Sequence, residues 1–334
     1  MRAELRDSLE FLYADSKIGK KPCHSTVVDV PRNVVASVHV LLNDVSVGKT
    51  IRLSVSCNGR AVPQVTWFRL VDVPVETNTG TVGFVEKDGD VNPHVARRAP
   101  FRVFDGMEPV GSSVKAGASI TALRLHLPSS GRPGPREYTI AVQVGGDRCE
   151  LTLTVQVYPA SVTPVGERSF PYTNWFTLDL MAERHGLERW SPAHWRMIRK
   201  YADLMVHGRQ NTFWIPLQYI FQMERGQPVL DRQRLRRIVR LFTDAGMYYI
   251  EGGHVAGRTG GEWSATTFDI SLASGVRATS PEGNALLAAI GRQLVDEIDR
   301  QGWRDRWIQH VTDEPTSTNA ADYRILCGMA RRHM

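Results

Sequence analysis

The sequence is poor in the features that would assign it at a glance. No uninterrupted apolar run approaches the roughly 20 residues that a membrane-crossing helix needs. The amino-terminal stretch MRAELRDSLEFLYADSK alternates charged and apolar residues. It has neither an apolar h-region nor a small-residue cleavage site, so it is not a secretory signal, and a cytoplasmic location is the expectation. Cysteines number only four (Cys23, Cys57, Cys149 and Cys327), scattered without a CxxC or Cys/His cluster. That excludes a zinc-finger spacing and a disulfide framework and leaves buried free thiols as the expectation. No glycine-rich turn follows the first strand of the βα region, which argues against a dinucleotide-binding fold. No metal or organic cofactor is indicated.

What is present is a balanced globular composition. At 42% hydrophobic and 23% charged over 334 residues, the chain can bury a core, and its length favours two domains. The formal charge of +6 raises the question of nucleic acid. The basic residues, however, fall within helical patterns. In residues 231–239 arginines surround an apolar stripe of Leu235, Ile238 and Val239, the pattern of a solvated helix face rather than a nucleic-acid surface.

The hydrophobic period changes near residue 160. Before it, apolar residues recur with period two, as in residues 50–55, 120–127, 138–144 and 151–157, bounded by Gly, Pro, Asn or Asp. Such runs predict strands, with Gly145-Gly146-Asp147 as a hairpin connection, and together an antiparallel β-sandwich over residues 1–160. From residue 161 the pattern reads strand, helix, strand, helix. Strands are expected at 170–177, 211–217, 247–251 and 307–311. Helices are expected at 191–207 (Ser191 as N-cap and Pro192 at the first helical position), 231–245 (closed by Gly246), 281–301 and 319–332. Four βα units without a hairpin imply parallel strands, and residues 161–334 are read as the first half of a (β/α)8 barrel. Four units where a barrel has eight suggest a chain truncated at its carboxyl end.

In βα proteins chemistry gathers at the carboxyl ends of the strands. Asp313-Glu314-Pro315 follows the fourth strand. Adjacent carboxylates there must be solvated, paired or used, and capping of the next helix stands beside catalysis as an explanation. Because successive strand residues face opposite ways, both side chains can reach one pocket only where the strand has begun to turn. Glu251-Gly252-Gly253-His254 ends the third strand, and its glycines allow a close approach of the backbone, while His254 can hydrogen-bond a ligand. Asn174 and Trp175 could hydrogen-bond and stack on a sugar, with Phe176 a core aromatic. Asn211, at the start of its strand, suits a turn role, and Trp214 suits the core. The segment 256–279 lacks periodicity and reads as a lid or binding loop that carries Trp263, a second stacking candidate beside Trp190.

With these residues in view, a family resemblance becomes usable. SPAHWRMIRKYADLMVHGRQN, YYIEGGHVAGR, WIQHVTDEP and, in the first half, PHVARRAPFRVFD, in this order and spacing, resemble glycoside hydrolase family 123 and its barrel relatives. The resemblance implies a retaining, substrate-assisted exo-β-N-acetylhexosaminidase, in which the substrate's acetamido oxygen is the nucleophile. Asp313 would orient the acetamido group. Glu314 would protonate the leaving oxygen and then activate water. The implied partner is a glycan or oligosaccharide, with Asn174, Trp175, His254 and Trp263 as sugar contacts. A glycosidase pairing Glu314 with a distant carboxylate, or a non-catalytic carbohydrate-binding protein, remain open beside it.

Overall fold

The computed structural model describes residues 1–334 and divides into two compact units, Met1–Val162 and Thr163–Met334. No helix is long and apolar enough to cross a membrane.

The first unit holds two large sheets. One runs in the order Arg2–Asp7, Val35–Asn43, Thr121–Pro128, Thr66–Val75, Phe101–Val110, antiparallel throughout. In the other, Ser25–Arg32, Asp147–Ser161, Gly134–Val144, Thr50–Cys57 and Arg60–Ala61 lie side by side, and Ser113–Lys115 also joins Thr50–Cys57. Leu5, Val40 and Leu125 of the first sheet share one core with Leu53, Ile140 and Leu153 of the second. Alternation places these residues inward, as a sheet with one dry face requires. The pairing of Val144 with Asp147 leaves Gly145-Gly146 as a two-residue hairpin turn. The expectation of purely antiparallel pairing fails at one seam, where Ser25–Arg32 runs parallel to Asp147–Ser161. These strands are remote in sequence, so no tight turn forces them to run antiparallel.

The second unit is built on a three-stranded parallel sheet in the order Thr212–Ile215, Tyr249–Gly252, Trp307–Gln309. Helices Pro192–His207, Arg232–Ala245, Pro281–Gln301 and Ala320–His333 follow the sequence pattern. Their ends are set by local chemistry. Ser191, Asp231 and Ser280 each accept a backbone N–H in the first turn, and Gly246 closes its helix at φ 116°. Leu235, Ile238 and Val239 are buried, as their stripe predicts.

Three expectations are corrected here. Residues 170–177 form no strand. Pro171 has no N–H to give, the N–H of Tyr172 goes to the Asn211 side chain, and the sheet's first strand reaches this segment only through the Tyr172 carbonyl, which receives the backbone N–H groups of Asn211 and Thr212, while the Thr177 carbonyl is taken by the Met181 N–H of the following helix. A ladder cannot propagate from that single point. The βα units are also not free of hairpins. Phe221–Glu224 pairs antiparallel with Gln227–Leu230 across Arg225-Gly226, both at positive φ, the geometry of a tight hairpin turn. The segment 256–279 is likewise ordered by a small antiparallel pair, Ala256–Arg258 with Phe268–Ile270. Finally, the thiols are not buried: Cys23 is exposed, and Cys57, Cys149 and Cys327 are half-buried.

Candidate functional site

The three parallel strands end together, and their carboxyl ends supply one cluster. Thr212–Ile215 presents Trp214 and leads to Pro216. Tyr249–Gly252 carries Glu251 and leads to His254. Trp307–Gln309 leads to His310, Thr312 and Asp313. An open cleft of about 300 Å³ is lined by Trp214, Pro216, His254, Arg258, Thr312 and Asp313, among others.

The glycines before His254 are required by space. A β-carbon on Gly253 would lie 2.6 Å from the Pro216 α-carbon and 2.9 Å from the Ile215 carbonyl oxygen. The backbone here passes against the neighbouring strand's end, with the Gly253 N–H on the Ile215 carbonyl at 2.8 Å. Gln309 Nε2 donates to the Gly253 carbonyl at 2.7 Å.

Behind the cleft sits a carboxylate to which the sequence reading assigned no role of its own. Glu251 is 8% exposed. Both its oxygens accept from Trp175 Nε1, at 3.0 and 3.1 Å, and His310 Nδ1 lies 3.2 Å from Oε1, close but not aligned as a hydrogen bond. Trp175 stacks on Trp214 with ring centroids 5.4 Å apart and planes 21° apart. It also meets His254 and His310 edge-on, whose own centroids are 4.2 Å apart. Burial holds His254 below the ordinary histidine range, and His310 adds to this, while Asp313 and Glu251 pull the other way. Its imidazole is therefore neutral near pH 7 and able to accept as well as donate.

The sequence-predicted residues distribute as follows. Asp313 and His254 line the cleft. Trp175 is outside the lining but braces Trp214, which is in it. Glu314 is exposed at φ 41°, its carbonyl accepting from Arg258 Nη2 at 2.5 Å. Asn174 directs its amide at the Tyr172 hydroxyl, 2.8 Å away. Trp263 is exposed under the Arg258 guanidinium at 4.0 Å. Trp190 packs against Trp195 and Tyr219, a structural setting. Asn211 ties the Tyr172 and Ser169 segments to the sheet. Sequence reasoning singled out the stretches that hold Glu251, His310 and Arg258 but assigned none of the three a role. An acid at the carboxyl end of an otherwise apolar parallel strand was the available signal for Glu251.

No protein-family model matches the chain, and no curated protein does. Among solved structures, a family 123 glycoside hydrolase from Clostridium perfringens, described in connection with glycolipid glycan hydrolysis, is similar with a TM-score of 0.70 at 11% sequence identity, over 98% of this chain and 60% of that one. The chain thus spans about three fifths of that enzyme's length. A xyloglucanase of glycoside hydrolase family 5 from Bacteroides ovatus, solved with a XXXG heptasaccharide, aligns with a TM-score of only 0.27 at 11% identity, over 92% of this chain and 58% of that one, too low to carry an argument. The chain is therefore similar in fold to the family 123 structure, and it is rich in β-sheets.

Proposed function

We propose that this protein is a glycoside hydrolase acting on N-acetylhexosaminides by substrate assistance, with its site at Asp313 and Glu314. The observation that carries the reading is Asp313 in an open cleft at the carboxyl ends of parallel strands, within a fold similar to a family 123 glycoside hydrolase. On this reading the first unit is a β-sandwich and the second the opening half of a (β/α)8 barrel.

The local backbone supports the paired roles. Regular strand structure ends at Gln309, the chain bends at Asp313 and Glu314 adopts φ 41°, so the backbone turns at the two acids and strand alternation does not govern where their side chains lie. In the proposed reaction Asp313 holds the acetamido N–H while the acetamido oxygen attacks the anomeric carbon. Glu314 gives its proton to the departing oxygen. A water then loses a proton to Glu314 and opens the cyclic intermediate. His254, neutral at the cleft wall, hydrogen-bonds a sugar hydroxyl. Trp214, set by Trp175, offers an aromatic face to the ring.

The test is hydrolysis of aryl β-N-acetylhexosaminides against plain aryl β-hexosides. The reading expects cleavage of the acetamido substrates alone and its loss in Glu314→Gln. Cleavage of plain glucosides or galactosides at comparable rates would rule out substrate assistance.

A further inference from the structure

We propose that His254, His310 and Asp313 form a binding site for one divalent transition-metal ion of the zinc class. One donor atom from each of the three side chains lies within 4.8 Å of the others. Two imidazoles and a carboxylate are a donor set that zinc and its neighbours accept, with a fourth position left for water or an incoming ligand. Bonds of about 2.0–2.1 Å hold tetrahedral ligands roughly 3.4 Å apart, so small rotations of these side chains complete the site.

Independent features converge on it. Nε2 of His254 is buried without a hydrogen-bond partner, a rare condition that a bound ion relieves. Nδ1 of His310 is also buried without an aligned partner, and it faces the Glu251 carboxylate at 3.2 Å. A carboxylate beside a ligating imidazole is the usual outer support of such sites. Asp313 and Glu251 together offset the ion's two positive charges. His254 and Asp313 both line the open cleft, which gives a hydrated ion an entry path. The site does not depend on the glycosidase reading. The two share Asp313 and His254, so an ion bound here competes with a sugar.

The chain, stripped of metal by a chelator, is dialysed against Zn²⁺ and separately titrated with Co²⁺ in a spectrophotometer. One equivalent bound with micromolar or tighter affinity is expected, with d–d bands of low-coordinate nitrogen and oxygen ligation and no thiolate charge-transfer band. His254→Gln, His310→Gln and the near-isosteric Asp313→Asn should each weaken binding at least about tenfold. His94→Gln, on the exposed surface of the other unit, should leave it unchanged. Circular dichroism on every variant separates lost ligation from lost fold. Failure to retain stoichiometric metal, a thiolate band, or undiminished binding in folded Asp313→Asn would each overturn the proposal.

Discussion

Trp175 Nε1 donates to both carboxylate oxygens of Glu251, at 3.0 and 3.1 Å. A buried carboxylate thereby fixes the plane of an aromatic ring that lies flat against Trp214 at the cleft. A buried charge is tolerated where hydrogen bonds replace its water, and here they also orient the indole. Glu251→Gln turns one acceptor into an N–H₂ donor facing the indole N–H. The variant should lose about 1–3 kcal/mol of stability, red-shift tryptophan emission as the Trp175 ring loosens, and weaken sugar binding. Denaturant titration read by fluorescence checks this; unchanged emission and stability would show that the contact orders nothing.

In the first unit, burial pushes His39 down to about 4, with the Arg124 charge adding to the shift and Asp7 opposing it. Neither ring nitrogen has a hydrogen-bond partner. The folded value lies below the unfolded one, so the unfolded chain binds the proton more readily. Stability is full above about pH 6.5 and falls as the pH drops towards 4, by roughly 3 kcal/mol at 1.36 kcal/mol per unit. His39→Leu should flatten that stretch of the stability profile without loss at pH 7.5. A variant with the same acid slope as the parent would locate the effect elsewhere.

Glu297 is fully buried on helix Pro281–Gln301. Arg236 grips it at 2.6 and 3.0 Å, and Arg300 and Arg232 lie at 3.1 and 3.2 Å. The cluster joins this helix to Arg232–Ala245. The three arginine heads are 37–52% exposed and stay solvated when the acid is removed, so Glu297→Ala should cost about 1.5–3 kcal/mol, the worth of hydrogen bonds to a charged group. Urea unfolding measures it, and a cost near that of an ordinary surface substitution would contradict the assignment.

Gly253→Ala should cost more than its single methyl suggests, because the new carbon meets backbone atoms of Pro216 and Ile215 that cannot rotate away. The strand end must shift and carry His254 with it. A lowered melting temperature together with weakened sugar binding is expected, and wild-type values in both would show that the strand ends are more pliable than they look.

Much of this organisation was legible in the residues, where the cause was local. The caps at Ser191, Asp231 and Ser280, the stop at Gly246 and the two-residue turn at Gly145-Gly146 depend on neighbours within a few positions. The failures have non-local causes. The strand expected at 170–177 was lost because the Asn211 side chain, distant in sequence, takes the Tyr172 N–H. The hairpin at Arg225-Gly226 lacks the Asn-Gly or Asp-Gly signal. At the site, His254 and Asp313 were visible because strand ends are visible. Glu251 and His310 acquire their surroundings only when three strands and the Trp175 segment converge, which no spacing along the chain records.

The most direct measurement is a calorimetric titration of the chain and of Asp313→Asn with a thiazoline mimic of the cyclised N-acetylhexosamine intermediate. The account predicts exothermic, saturable binding to the parent chain and a loss of about 1.5–3 kcal/mol in the variant, the worth of a hydrogen bond to a charged group. Absence of heat with the parent chain, or equal affinity in Asp313→Asn, would contradict the assignment of this cleft to an N-acetylhexosaminide.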